Sequence, residues 1–182
     1  MQTDRVFVRR VESRDRKQIV QRAKESISFH TPWVSTPTTN HIFRLYMRRI
    51  RRTDHEGFVC CLRDSEQIVG VFNLNNILKN VYMSASIGYY AFSEFSGNGF
   101  MTEGLNLVKR IAFENMSLHR LEAAIQPDNL PSKALAKRCG FEYEGIAKEY
   151  LFLNGRWCDH ERWVALDSRA HSLLLGTESY GI

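Results

Sequence analysis

Apolar and polar residues alternate along Arg5-Val6-Phe7-Val8-Arg9-Arg10-Val11, a period of two rich in β-branched and aromatic side chains that predicts a first strand over 5–11. The spacing then becomes helical and predicts helices over about 14–29 and 38–55. Between them, His30-Thr31-Pro32-Trp33-Val34-Ser35-Thr36-Pro37 carries two prolines, which break helix and set Trp33 on a loop. Strand texture returns in Phe58-Val59-Cys60-Cys61-Leu62-Arg63 and in Gln67-Ile68-Val69-Gly70-Val71-Phe72-Asn73-Leu74, joined as a hairpin by Asp64-Ser65-Glu66. A third strand of this meander runs over 81–92 and leads to Ser96-Gly97-Asn98-Gly99.

Beyond that loop, Leu105, Val108, Ala112 and Met116 recur at i, i+3 and i+4 spacing, the buried stripe of a helix. His119-Arg120-Leu121-Glu122-Ala123-Ala124-Ile125 reads as a strand, and a helix over 129–139 is closed by Gly140. Asn154-Gly155 between strands over 141–153 and 156–166 is the strongest short hairpin signal. The tail over 168–182 has a weak pattern and is expected to be peripheral to a single domain over 1–167. The order β, α, α, three strands, α, β, α, β, β predicts an α/β or α+β domain built on a mixed sheet.

Composition narrows the function classes. A chain of 182 residues with 43% hydrophobic and 25% charged positions can bury its own core. It has no apolar run near the roughly 18 residues of a membrane span. Met1-Gln2-Thr3-Asp4-Arg5 leads into a strand without the apolar stretch of a signal peptide, so the expected location is the cytoplasm. The four cysteines, at 60, 61, 139 and 158, lack zinc-site spacing and read as reduced structural thiols, with no metal expected. The net charge of +5 draws on Arg44, Arg48, Arg49, Arg51 and Arg52. That cluster reads first as a solvated helix face and second as a surface facing a polyanion; no direct nucleic-acid site is indicated.

The glycine loop follows a strand and opens a helix, so its N–H groups converge at the positive end of a helix dipole, where a phosphate oxygen fits. Taken alone, two glycines after a strand are more often a plain turn. Thr102 stands where a dinucleotide fingerprint wants a third glycine, and no Gly-Lys-Ser/Thr is present. What remains is a phosphate loop placed between an antiparallel meander and a helix.

The segments Ser96-Gly97-Asn98-Gly99-Phe100-Met101-Thr102-Glu103-Gly104-Leu105, Leu118-His119-Arg120-Leu121-Glu122-Ala123, Pro127 to Gly145, and Tyr150-Leu151-Phe152-Leu153-Asn154-Gly155-Arg156-Trp157-Cys158-Asp159-His160 cover roughly 85–166. In this order and spacing they resemble the GNAT acetyltransferases, and within them the RimJ/RimL-like ribosomal-protein N-terminal acetyltransferases. His30-Thr31-Pro32-Trp33 is similar to that branch's Pro-Trp loop. The resemblance implies the GNAT acyl-CoA N-acyltransferase fold, a mixed sheet of about seven strands flanked by about four helices. It also implies acetyl-CoA as co-substrate and direct transfer of acetyl to a primary amine, chiefly a protein N-terminus with a small first residue such as Ala or Ser, in a monomer or homodimer. A small amine (an amino acid, polyamine or antibiotic) is the alternative acceptor, and a non-catalytic acyl-CoA-binding module the alternative class.

The resemblance also assigns a site. Tyr90, Ala91 and Phe92 would offer backbone groups to the pantetheine arm and acetyl oxygen, within one residue. Ser96, Gly97, Asn98, Gly99, Phe100, Met101 and Thr102 would hold the pyrophosphate. Asn129 and Ser132 would sit at the thioester, with Ser132 donating a hydrogen bond to the CoA sulfur because Ala136 stands where many members carry a tyrosine acid. Asn129 reads equally well as a helix N-cap. Trp33, Tyr89 and Tyr150 would line the amine pocket, although aromatics on strands are usually core. Glu94 stands where the family has Gln or Arg and is an unfavourable neighbour for a pyrophosphate unless it points away. Ser84, Ser86 and Leu151 occupy the places of the family's glutamate bases, which leaves Glu149 and His119 as distant candidates for a water-relayed base.

Overall fold

The opening alternation forms β1 (Val6–Arg10), which buries Val6 and Val8 against the sheet. This computed structural model describes residues 1–167; the tail over 168–182 lies outside the described residues. The meander follows as β2 (Glu56–Leu62), β3 (Ile68–Leu78) and β4 (Ser84–Ala91), and the second half adds β5 (Arg120–Ile125), β6 (Glu142–Leu153) and β7 (Arg156–Leu166). Together they make one seven-stranded sheet in the order β1-β2-β3-β4-β5-β7-β6, in which β4 and β5 are the parallel pair. The other neighbours are antiparallel, so the sheet is mixed as expected.

Among the described residues, five helices flank the sheet: α1 (Arg16–Glu25), the single turn α2 (Ile27–His30), α3 (Asn40–Ile50), α4 (Phe100–Arg110) and α5 (Leu130–Arg138). The first predicted helix is therefore divided. At the break, Ser26 is buried and its Oγ accepts from the Ser93 N–H at 3.0 Å, a bond to a distant strand end that competes with continuing the helix. The second starts two residues later than predicted, where Thr39 caps it by accepting from the Ile42 N–H at 3.2 Å, and it ends at Ile50 in a turn over 51–54. Arg44, Arg48, Arg49, Arg51 and Arg52 are exposed.

The predicted stripe of α4 faces the core, with Leu105, Val108 and Ala112 buried and Met116 half-buried past a π-helical turn at Ile111–Asn115. Gly104 lets α4 lie close on the sheet: a Cβ there would come within 2.8 Å of the Phe72 ring and 2.9 Å of Cys60 Sγ. Asn154 and Gly155 turn the last hairpin with φ of 52° and 80°, both positive as a tight two-residue turn requires. No helix among the described residues is long and apolar enough to cross a membrane. All four cysteines are free and buried; burial pushes Cys60 up to about 12 and Cys61 and Cys139 up to about 11, so these thiols stay protonated.

Contacts sort the helices onto two faces. Tyr89 Oη lies against Ser132 of α5, and α4 packs over Phe72, the residue opposite Tyr89, so α4 and α5 share one face. His30 of α2 meets Tyr90, the next residue of β4, with ring centroids 5.4 Å apart, so α2 belongs to the other.

Candidate active site

β4 and β5 pair only from Ser84 with Arg120 to Ser86 with Glu122, and then diverge. The gap becomes a cleft through the sheet of about 710 Å3, lined by Ile87 to Ala91 on one side and by Ala123, Ala124, Ile125 and Gln126 on the other. Short alanines on β5 leave it open. Where two strands separate, the backbone groups that would have joined them are left without partners, which suits an extended, amide-bearing ligand.

Register decides which β4 groups face the gap. Phe92 N–H donates to Val69 O at 2.9 Å, and in an antiparallel pair such bonds recur every second residue, so Phe92 and Tyr90 turn their backbone groups to β3. Tyr89 and Ala91 turn theirs to the cleft, a one-residue shift from the predicted set. Ala91 O already accepts from His30 Nε2 at 2.8 Å. Phe92 itself is a fully buried ring and does not line the cleft.

At one end of the cleft stands the glycine loop. Gly97 and Gly99 adopt φ of 82° and 81°, and Gly99 is the N-cap of α4, where no side chain caps the helix. The N–H groups of Gly97, Asn98 and Gly99 find no acceptor among the described residues, which leaves an anion cradle at the positive end of α4. Ser96, Gly97, Gly99, Met101 and Thr102 line the cleft; Asn98 and Phe100 do not. Those two brace the loop instead. Arg5 donates to Asn98 O at 3.2 Å, is paired to Glu103, and lies 5.0 Å over the Phe100 ring. Arg138, which sequence reasoning passed over, adds a cation to the lining from the last turn of α5. Glu94 is ion-paired to Arg22, whose guanidinium stacks 4.7 Å over Phe95, so its carboxylate is drawn out of the lining.

The middle of the cleft holds a pair that spacing could not foresee. Ser132 Oγ donates to Tyr89 Oη at 3.0 Å, and Tyr89 Oη donates to the Ser132 carbonyl at 3.3 Å. Burial pushes the Tyr89 hydroxyl up to about 12 against the opposing hydrogen bond from Ser132, so it remains a proton donor through neutral pH. Asn129 Oδ1 accepts from the Ser132 N–H at 3.2 Å: it is the N-cap of α5 and fixes where Ser132 stands.

On the opposite face of the sheet, that of α2, Phe29, Trp33 and Val34 give the lining an apolar mouth. Tyr150 is exposed and outside the lining, but its ring lies 6.1 Å from that of His160, which is inside it. The loop carrying Trp33 is tied to the last hairpin, since Asn154 Nδ2 donates to Pro32 O at 3.0 Å. Neither predicted base reaches the cleft. Glu149 is exposed, and His119, whose Nδ1 is buried without a partner among the described residues, lies outside the lining. Two histidines that were missed, His30 and His160, do line it. The only sequence signals for them were their places in the Pro-Trp loop and the last matching segment.

Comparison with known proteins agrees with this geometry. A family model described as an acetyltransferase (GNAT) domain matches residues 5–142. The ribosomal protein uS5-alanine N-acetyltransferase of Escherichia coli is 32% identical over 166 residues, covering 87% of this chain and 86% of that protein. The probable N-acetyltransferase YjcK of Bacillus subtilis is 34% identical over 116 residues, a match spanning 64% of each chain. Among solved structures, Mycobacterium smegmatis RimJ in complex with CoA-disulfide superposes with a TM-score of 0.80 at 27% identity, covering 93% of this chain and 88% of that one. With a sheet that splays between its parallel strands, a phosphate loop at one end of the gap and a family match over most of its length, this chain belongs to the GNAT family of N-acetyltransferases.

Proposed function

We propose that this chain transfers acetyl from acetyl-CoA to the N-terminal amine of a protein by direct attack, with no covalent enzyme intermediate. The lining of the cleft carries the reading. It joins the free N–H groups of the glycine loop to an apolar mouth, and among the described residues it contains one arginine and no Asp or Glu. A polyamine brings further ammonium groups that need carboxylates once they leave water. A peptide N-terminus brings one ammonium followed by amides and a small side chain, which a neutral mouth accepts more readily. Small first residues, Ala or Ser, are the expected acceptors, in keeping with the similarity to ribosomal-protein alanine acetyltransferases.

In this reading the glycine loop and Arg138 hold the phosphates, and the cleft-facing N–H groups of Tyr89 and Ala91 receive the pantetheine amides and the acetyl oxygen. The Ser132–Tyr89 pair supplies the hydrogen bond to sulfur that the leaving thiolate requires.

Thiol release from acetyl-CoA, followed with a panel of N-terminal peptides beside amino acids, polyamines and aminoglycosides, tests the assignment. Turnover with Ala- and Ser-initiated peptides is expected. Reaction with small amines alone overturns it, and acetyl-CoA binding without turnover on any acceptor favours the binding module.

The Arg22–Glu94 pair gives a second check. Arg22→Leu releases a carboxylate beside the phosphate site, so KM for acetyl-CoA should rise several-fold while kcat holds, and adding Glu94→Gln should restore it. The basic face of α3 supports a large, acidic acceptor complex such as the ribosome. Arg16, Arg44, Arg48 and Arg51 line a separate concavity of about 640 Å3 and have no ion-pair partner among the described residues. Reversing Arg44 and Arg48 to Glu should lower kcat/KM for ribosome-bound substrate and spare short peptides.

A further inference from the structure

The reaction must dispose of two protons from the acceptor nitrogen, because an ammonium enters and an amide with one N–H leaves. One departs with the CoA thiol. The other needs an acceptor on the side from which the amine approaches, and none of the glutamate positions of the family supplies one in this chain.

Two histidines line the cleft, and their hydrogen bonds separate them. His30 is occupied at both nitrogens: Nε2 meets Ala91 O at 2.8 Å and Nδ1 meets Thr36 Oγ1 at 3.2 Å. A carbonyl only accepts, so Nε2 carries the hydrogen and Nδ1 takes the threonine proton. Burial holds its pKa below the ordinary histidine value, against the opposing pull of the Ala91 carbonyl. His30 is thus a neutral brace with no lone pair to spare.

His160 is different. Its Nδ1 lies 3.0 Å from Cys158 O, so by the same logic Nδ1 carries the hydrogen and Nε2 bears the lone pair. Nε2 has no hydrogen-bond partner among the described residues, and His160, although only 2% exposed, is one of the residues that line the cleft.

The face it occupies is the right one. Lys133 of α5 pairs with Glu161 at 2.8 Å, which puts Glu161 on the face of α4 and α5, where Ser132 and Tyr89 also stand. Successive residues of β7 point to opposite faces, so His160 belongs to the face of His30 and Tyr90.

We propose that His160 is the general base of this enzyme: its Nε2 lone pair takes a proton from the acceptor ammonium. The freed amine lone pair then forms the C–N bond at the thioester carbonyl as the C–S bond breaks. The second nitrogen proton balances the leaving thiolate, and the imidazolium returns its proton to solvent. This assignment rests on the acyltransfer reading above but not on which amine is the acceptor.

Tyr150 of β6 meets the His160 ring edge-on, Asp159 beside it is held by Lys148 at 2.6 Å, and Arg162, two residues on along the same face, pairs with Glu122 at 2.7 Å. Across the cleft stand His30 and Tyr90.

The test compares His160→Gln with the unaltered enzyme on two acceptors: an Ala-initiated peptide, and the same peptide bearing an aminooxyacetyl group in place of Ala, whose nitrogen is already unprotonated at neutral pH. With the first, kcat/KM should fall about 100-fold or more and the acid limb of its pH profile should change shape. With the second, the deficit should shrink to a few-fold. Acetyl-CoA affinity by calorimetry should stay unchanged. Equal deficits on both acceptors, or an unaltered rate and acid limb, overturn the assignment. His160→Asn repeats the comparison if the Gln variant does not fold. If the unaltered enzyme accepts only small amines, the peptide assignment fails, while the same comparison with that amine and its aminooxy analogue still decides the role of His160.

Discussion

Gly99→Val should raise KM for acetyl-CoA about 10- to 100-fold while leaving the sheet intact. The backbone of Gly99 sits at φ 81°, where a β-branched residue is strained by about 1–3 kcal/mol. The added Cβ would also come within 3.3 Å of Arg5 Nη2, a guanidinium already committed to Glu103 and to Asn98 O. The loop has to turn away, and its free N–H groups no longer converge on one phosphate. Gly97 provides the graded control. It has φ 82°, but nothing lies within 4 Å of a Cβ there. Gly97→Ala should therefore cost less than Gly99→Val, and Gly97→Asn least, because Asn tolerates the left-handed region. Initial rates against acetyl-CoA concentration check the order. A Gly99→Val enzyme with unchanged KM would show that the loop backbone does not bind the phosphates.

What could be read from the sequence divides along physical lines. Local signals survived because neighbours in the chain enforce them: Asn154-Gly155 makes its turn, and the stripe Leu105, Val108, Ala112 faces the core. The glycine loop was equally plain as a strand-to-helix junction. Long-range partners were not legible. Glu94 looked unfavourable beside a phosphate until Arg22, far off in sequence on α1, claimed it. The helix break at Ser26 depends on Ser93. The parity of β4 depends on its register with β3, and that is why the cleft-facing backbone groups belong to Tyr89 and Ala91. His160 was the hardest to read, since its usefulness lies in a tautomer set by the carbonyl of Cys158 and in the face assigned by the Lys133–Glu161 pair.

Ser132 and Tyr89 should behave as one unit in catalysis. Sequence reasoning gave Ser132 alone the hydrogen bond to sulfur, because Ala136 stands where a tyrosine acid is common. The fold brings a tyrosine from β4 instead, with its hydroxyl 3.0 Å from Ser132 Oγ. Either hydroxyl can turn from its present partner towards a sulfur that develops negative charge, and the other then donates into it, so removing one member disables both. Ser132→Ala and Tyr89→Phe should each lower kcat about 10- to 100-fold with little change in KM for acetyl-CoA, and the double variant should be scarcely worse than the poorer single one. Burial keeps the Tyr89 hydroxyl protonated up to about 12, so deprotonation of Tyr89 should produce no basic limb in kcat through the neutral range. Multiplying effects in the double variant would mean that the two hydroxyls act separately. Unchanged turnover in both single variants would remove the pair from the chemistry and leave the thiolate to be protonated from solvent.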